Sequence, residues 1–107
     1  KEEIRLFASE VMLERLFPVV DTFDRVAQHV NDTGLALAIK QLNAALEEQG
    51  VDKITVVGKP FNPHEMECVE VVDGEDNMVV EEVLPGYRLH GKILRVAQVK
   101  VGKKGAR

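Results

Sequence analysis

The chain has 107 residues, enough for one small domain or a small domain with an extension. Five aromatic side chains argue against a large self-contained core, for which oligomerisation is a common remedy at this size. A net charge of −4 argues against a nucleic-acid binder, and the basic residues cluster only in the last segment, Lys100 to Arg107.

No apolar run approaches the ~18 residues of a membrane span, and no signal-peptide pattern opens the sequence. A single cysteine, Cys68, has no internal disulfide partner, so a reducing compartment such as the cytoplasm is expected. The opening KEEIRLFASE has the composition of a helix interior with no capping residue ahead of it. It reads as the downstream end of a longer helix.

From Leu6 the apolar positions Leu6, Leu13, Leu16, Val20, Phe23, Ala27 and Val30 step by three and four, with Ser9 in the weak slot. This spacing predicts one helical stripe. Pro18 falls inside it, and its missing N–H predicts a bend rather than a full stop, because the stripe resumes in register. Asn31-Asp32-Thr33-Gly34 is a polar connector in which Asp32 or Thr33 caps a second helix. That helix carries Leu35, Ile39, Leu42 and Leu46 and stops at Gly50. Two helices on so short a loop are expected to lie antiparallel, with apolar stripes that a lone hairpin cannot cover. Two hairpins forming a dimeric four-helix bundle cover them, with Leu16, Val20, Phe23, Val30, Leu42 and Leu46 holding the dimer or the hairpin.

After Gly50 the period changes from helical to alternating. Val51 to Val57 reads as a strand, as do Val69 to Val72 and Met78 to Leu84, with Asp73 to Asn77 as the turn between the last two. Pro85-Gly86 marks another turn and His90-Gly91 a hairpin tip. Ile93 to Val101 forms the last strand, with Ile93, Arg95, Ala97, Val99 and Val101 on one face. The expected organisation is α+β: a helical region over 1–50, a small, mostly antiparallel β domain over 51–102, and a disordered basic tail over 103–107.

Chemistry-bearing residues are sparse. His64, Glu65, Glu67 and Cys68 are of metal-ligand type, but HEMEC lacks the second histidine of a zinc helix and follows Asn62-Pro63 at a loop. Loop and strand entry is the better reading. Cys68 beside His64 lacks the third orienting group and oxyanion loop of a nucleophilic site, and Gly86 and Gly91 precede no helix that would cradle a phosphate. Asp21 and Asp24 read as a solvated helix face. The sequence therefore points away from an enzyme, a metal site or a cofactor. Tyr87, Leu89, His90, Lys92 and Arg95 around the hairpin tip suit a protein-contact loop equally as well as a plain turn.

Three blocks carry a family resemblance. LFPVVDTFDRVAQ (Leu16 to Gln28) is similar to the LLPVxDxLxRAL helix of the GrpE family, and PFNPHEMECV (Pro60 to Val69) to its F-[DN]-P-x-x-[HM]-x-A loop. GYRLHGKILRVAQVKV (Gly86 to Val101) resembles its GYxLNGRxLRxAxVxV ending. The resemblance implies a homodimeric nucleotide exchange factor for DnaK-type heat-shock chaperones. On that resemblance, one β domain of the dimer is expected to wedge into the chaperone's ATPase cleft so that ADP leaves, with no bond made or broken by the exchange factor. It further implies partner contacts at Val83, Lys92 and Val101, and at Pro63 and His64. Departures from the pattern are Cys68 for alanine, His90 for asparagine and Lys92 for arginine; lysine keeps the charge but loses the planar fork. The alternative is a non-enzymatic dimeric adaptor on the same scaffold with a different protein partner.

Overall fold

The computed structural model describes residues 2–106, with side chains from Ala8 onward, so Leu6 of the predicted stripe lies outside the described side chains. The chain divides into two compact units, residues 1–51 and 52–107.

The first unit is a pair of helices, α1 (Glu2–His29) and α2 (Thr33–Glu48). Helix α1 runs on through Pro18, so the proline does not end it. Thr22 Oγ1 donates to the Pro18 carbonyl at 3.0 Å, and Arg25 Nη2 donates to Thr22 Oγ1 at 3.2 Å. Asp32 is the N-cap of α2: its extended backbone aims Oδ1 at two otherwise orphaned donors, Gly34 N (2.8 Å) and Leu35 N (3.2 Å). At the other end Gln49 N and Gly50 N close on the carbonyls of Leu46 and Glu47, with Gly50 at φ 87°.

The predicted single stripe of α1 is in fact two. Leu13, Phe17 and Val20 are buried, whereas Met12, Leu16, Val19, Phe23, Val26 and Val30 are each at least 40% exposed. The exposed set steps by four and three without a break, which is one continuous helical face. Val20 thus parts company with Leu16, Phe23 and Val30. On α2 no residue is fully buried; Leu35, Ile39, Leu42 and Leu46 are half-buried, and Leu37 is exposed.

The second unit holds a mostly antiparallel arrangement of short strands: β1 (Val51–Lys53), β2 (Met66–Asp73), β3 (Val79–Leu84), β4 (Tyr87–Leu89), β5 (Lys92–Arg95) and β6 (Ala97–Lys103). They form two three-stranded sheets, ordered β1-β4-β5 and β2-β6-β3. Strand β6 is the centre of its sheet, parallel to β2 (Met66 opposite Ala97, Val71 opposite Val101) and antiparallel to β3 (Val79 opposite Val101, Leu84 opposite Gln98). Its alternation puts Ala97, Val99 and Val101 into the core with Ile54, Val56, Met66 and Val79, and Phe61 and Ile93 pack against them. On the other side Lys100 reaches Glu70 of β2 (3.7 Å) and Glu81 of β3 (3.5 Å).

Two strand expectations are corrected. Val51 to Val57 is a strand only over its first three residues, although Ile54 and Val56 are buried and Thr55 and Val57 exposed, as alternation requires. The predicted last strand breaks at Val96 into β5 and β6, which belong to different sheets. In the segment from Lys103, expected as a disordered tail, backbone donors find partners as far as Ala106, and Arg107 lies outside the described residues. Lys104 N donates to Asp76 Oδ1 (2.8 Å), Gly105 N to Asp73 Oδ1 (3.0 Å) and Ala106 N to Lys103 O (3.2 Å).

The turn before β4 and the link between β5 and β6 touch backbone to backbone. A Cβ built on Gly86 would lie 2.6 Å from Ala97 N, 2.8 Å from Ile54 Cδ1 and 2.9 Å from Arg95 O. Gly91 differs: it has φ +84° but nothing within 4 Å of a built Cβ. Gly86→Ala is therefore expected to cost about 2–4 kcal/mol through overpacking against main chain. Gly91→Ala is expected to cost only about 1 kcal/mol, for the left-handed conformation. Urea unfolding of the two variants measures the difference, and equal losses would contradict the close approach at Gly86.

Candidate functional site

The β4–β5 hairpin closes through a two-residue loop, His90 (φ 49°) and Gly91 (φ 84°). Positive φ at both positions defines the type I′ turn, whose twist matches that of the flanking strands. Histidine is among the few side chains enriched in this conformation, so His90 fills the slot that asparagine commonly takes. The turn leaves His90, Gly91 and Lys92 exposed at the tip, while Tyr87 and Leu89 are buried at the base.

Arg95, read from sequence as part of the tip, points elsewhere. Its Nε and Nη2 both donate to the Pro85 carbonyl, at 3.0 and 2.7 Å, and its guanidinium lies 5.2 Å from the centre of the Tyr87 ring. This fork pins the Pro85-Gly86 corner to the end of β5. Arg95 is a structural clamp.

Pro63 and His64 sit on a single turn ahead of β2. Asn62 organises it: its Oδ1 accepts from His64 N (3.0 Å), and its carbonyl accepts from Glu65 N (3.2 Å) and Met66 N (2.9 Å). Ala97 N then donates to Glu65 O at 2.9 Å, which fixes the turn beside the start of β6. The sheet register carries Leu84, at the end of β3, to Gln98. The exposed Val83 thus lies at the same end of the sheet as the exposed Pro63 and His64.

Of the five sequence-predicted contact residues, Val101 is the least open: it is 8% exposed and belongs to the core cluster, so its side chain packs inward. Pro63, His64, Val83 and Lys92 are all surface positions, the first three gathered at one end of the β2-β6-β3 sheet and Lys92 on the hairpin of the other sheet.

Cys68 is exposed at an irregularity in β2 between Cys68 and Glu70, where Sγ donates to Glu70 O at 3.4 Å. Among the described residues no group of three or more His, Cys, Asp or Glu side chains is arranged to hold a metal ion. Nor is any described helix long and apolar enough to cross a membrane.

An ion pair that sequence reading missed ties these elements together: Arg88 Nη2 donates to Glu65 Oε1 at 2.7 Å, and Nη1 lies 3.7 Å from Asp52 Oδ2. Arg88 and Glu65 are 23 positions apart in the sequence, so no local pattern announces it.

The GrpE family profile matches residues 1–103. Protein GrpE of Methanothrix thermoacetophila is 37% identical over 98% of this chain and 60% of its own length. Protein GrpE of Thermotoga neapolitana is 38% identical over 94% of the chain and 64% of its own length. For protein GrpE of Bacillus cereus the figures are 32%, 96% and 59%. The chain thus spans about three-fifths of the length of these relatives. With a family match across almost its entire length, and with the helical pair and two-sheet unit on which the three motif blocks fall, the chain belongs to the GrpE family.

Proposed function

We propose that this chain acts as a nucleotide exchange factor for a DnaK-type chaperone, as a homodimer, through the surface of its β unit. The observation that carries the reading is the GrpE match over residues 1–103. The reading is supported by the β unit, where a clamped hairpin presents Lys92, the turn ahead of β2 presents Pro63 and His64, and β3 presents Val83. In this reading the protein makes and breaks no bond. It works by linkage: a partner that binds the open, nucleotide-free ATPase domain more tightly than the closed one lowers ADP affinity by the same ratio.

Homodimerisation is supported by the uncovered stripe on α1. Met12, Leu16, Val19, Phe23 and Val26, with Val30 just past the helix end, remain about half exposed in a single chain. Covering them in a four-helix bundle, with the half-buried Leu42 and Leu46 of α2 completing the apolar interior, stabilises the pair by roughly 1 kcal/mol per side chain. Val20 is already buried within one chain and serves the protomer. A reducing, cytoplasmic setting fits the exposed thiol of Cys68.

Lys92→Glu places a negative charge at the hairpin tip. It is expected to raise the concentration needed for half-maximal ADP release by about tenfold or more in stopped flow, with the dimer intact. Unchanged release would remove Lys92 from the partner contacts, and a parent protein that accelerates no ADP release from the chaperone would favour an adaptor with another partner. Phe23→Asp buries a charge in the proposed interface and is expected to yield monomers by light scattering. Persistence of the dimer would contradict the α1 stripe as its seam.

A further inference from the structure

Arg88 is the middle residue of β4, flanked by the buried Tyr87 and Leu89. Strand alternation therefore sends its side chain to the opposite face from theirs. There its guanidinium meets carboxylates from two other segments, Glu65 at 2.7 Å and Asp52 at 3.7 Å. The Glu65 contact is short, charge-assisted and largely shielded, with side chains 27% and 23% exposed. Asp52 is 58% exposed, and its longer contact is correspondingly weaker.

What the pair joins gives it consequence. Glu65 closes the turn bearing Pro63 and His64, which feeds the β2-β6-β3 sheet. Arg88 stands opposite Ile93 in the β4–β5 hairpin, one residue from Lys92, and that hairpin belongs to the other sheet. The two proposed contact elements thus lie on different sheets, and the Arg88–Glu65 ion pair spans them.

The geometry points to Arg88 as a positioning residue that, through Glu65, holds the Pro63-His64 turn in register with the Lys92 hairpin so that one partner surface meets both. The inference rests on the exchange-factor reading and deepens it. Arg88 touches no nucleotide and need not touch the chaperone. It removes in advance the ordering cost of bringing two separate elements to one surface. Its loss therefore weakens binding and leaves the opened complex, once formed, able to release ADP at its full rate.

The test uses the whole chain with Arg88→Ala, Glu65→Gln and the double variant, read out by ADP release from a DnaK-type ATPase domain and by amide hydrogen exchange. Each single variant is expected to raise the half-saturating concentration about three- to tenfold with the plateau rate unchanged. The double variant should lose no more than the worse single one, because both remove the same interaction. The amides of Glu65, Met66 and Ala97, which hold the turn, should exchange faster while those of Val99 and Val101 in the core do not. Arg88→Lys, which keeps the charge, should recover most of the affinity. An unchanged half-saturation, additive losses, or faster exchange across the whole β unit would overturn the assignment. A parent chain that releases no ADP defeats the exchange-factor reading instead, and the exchange pattern then decides the positioning role alone.

Discussion

The β unit hangs on one close approach, the backbone of Gly86 against the backbone of Arg95 and Ala97. At this point the chain going from β3 to β4 meets the chain going from β5 to β6, and each link passes from one sheet to the other. No side chain fits between them. The Arg95 fork on the Pro85 carbonyl and the Ile54 N–H on the Gly86 carbonyl (3.0 Å) hold the meeting point from either side. With the corner fixed, β4 and β5 are free to project as a hairpin, and β6 enters its sheet at Ala97 in the phase that buries Ala97, Val99 and Val101. The core and the exposed tip both follow from that corner.

The helical unit is governed by an opposite circumstance, an apolar face left uncovered. Two stripes run side by side on α1, one buried and one open, and α2 buries none of its residues fully. An uncovered apolar stripe on a helix is a face on which another surface can pack. The proposed division of labour follows: the helices associate, and the β unit presents a surface whose elements are clamped by Arg95 on one side and Arg88 on the other.

Local signals in the sequence were legible where the physics is local. The Asp32 cap, the Gly50 stop, the Asp73–Asn77 turn and the His90-Gly91 tip each depend on residues within a few positions of one another. Features set by distant partners were not. The alternation Ile93, Arg95, Ala97, Val99, Val101 continues across Val96 without a seam, so period alone cannot show that the hydrogen-bond partners change there. The parallel pairing of β2 with β6 joins segments some thirty residues apart. On α1, Leu13, Leu16, Val20 and Phe23 fit one heptad-like spacing, yet they draw alternately from two adjacent stripes that only burial separates. Val101 looked like a contact residue from its place in the closing motif, and its strand phase turns it into the core instead. The motif blocks located the surface, and the sheet register decided which of their residues reach it.

In the proposed mechanism this chain holds a chaperone ATPase domain open by preferring its nucleotide-free form. Titration calorimetry of the chain against a DnaK-type ATPase domain, with and without saturating ADP, measures that preference directly. The account predicts tighter binding to the nucleotide-free domain, with ADP affinity lowered by the same factor when the chain is bound. Equal affinity for the two forms would contradict it, since a ligand indifferent to two states shifts neither.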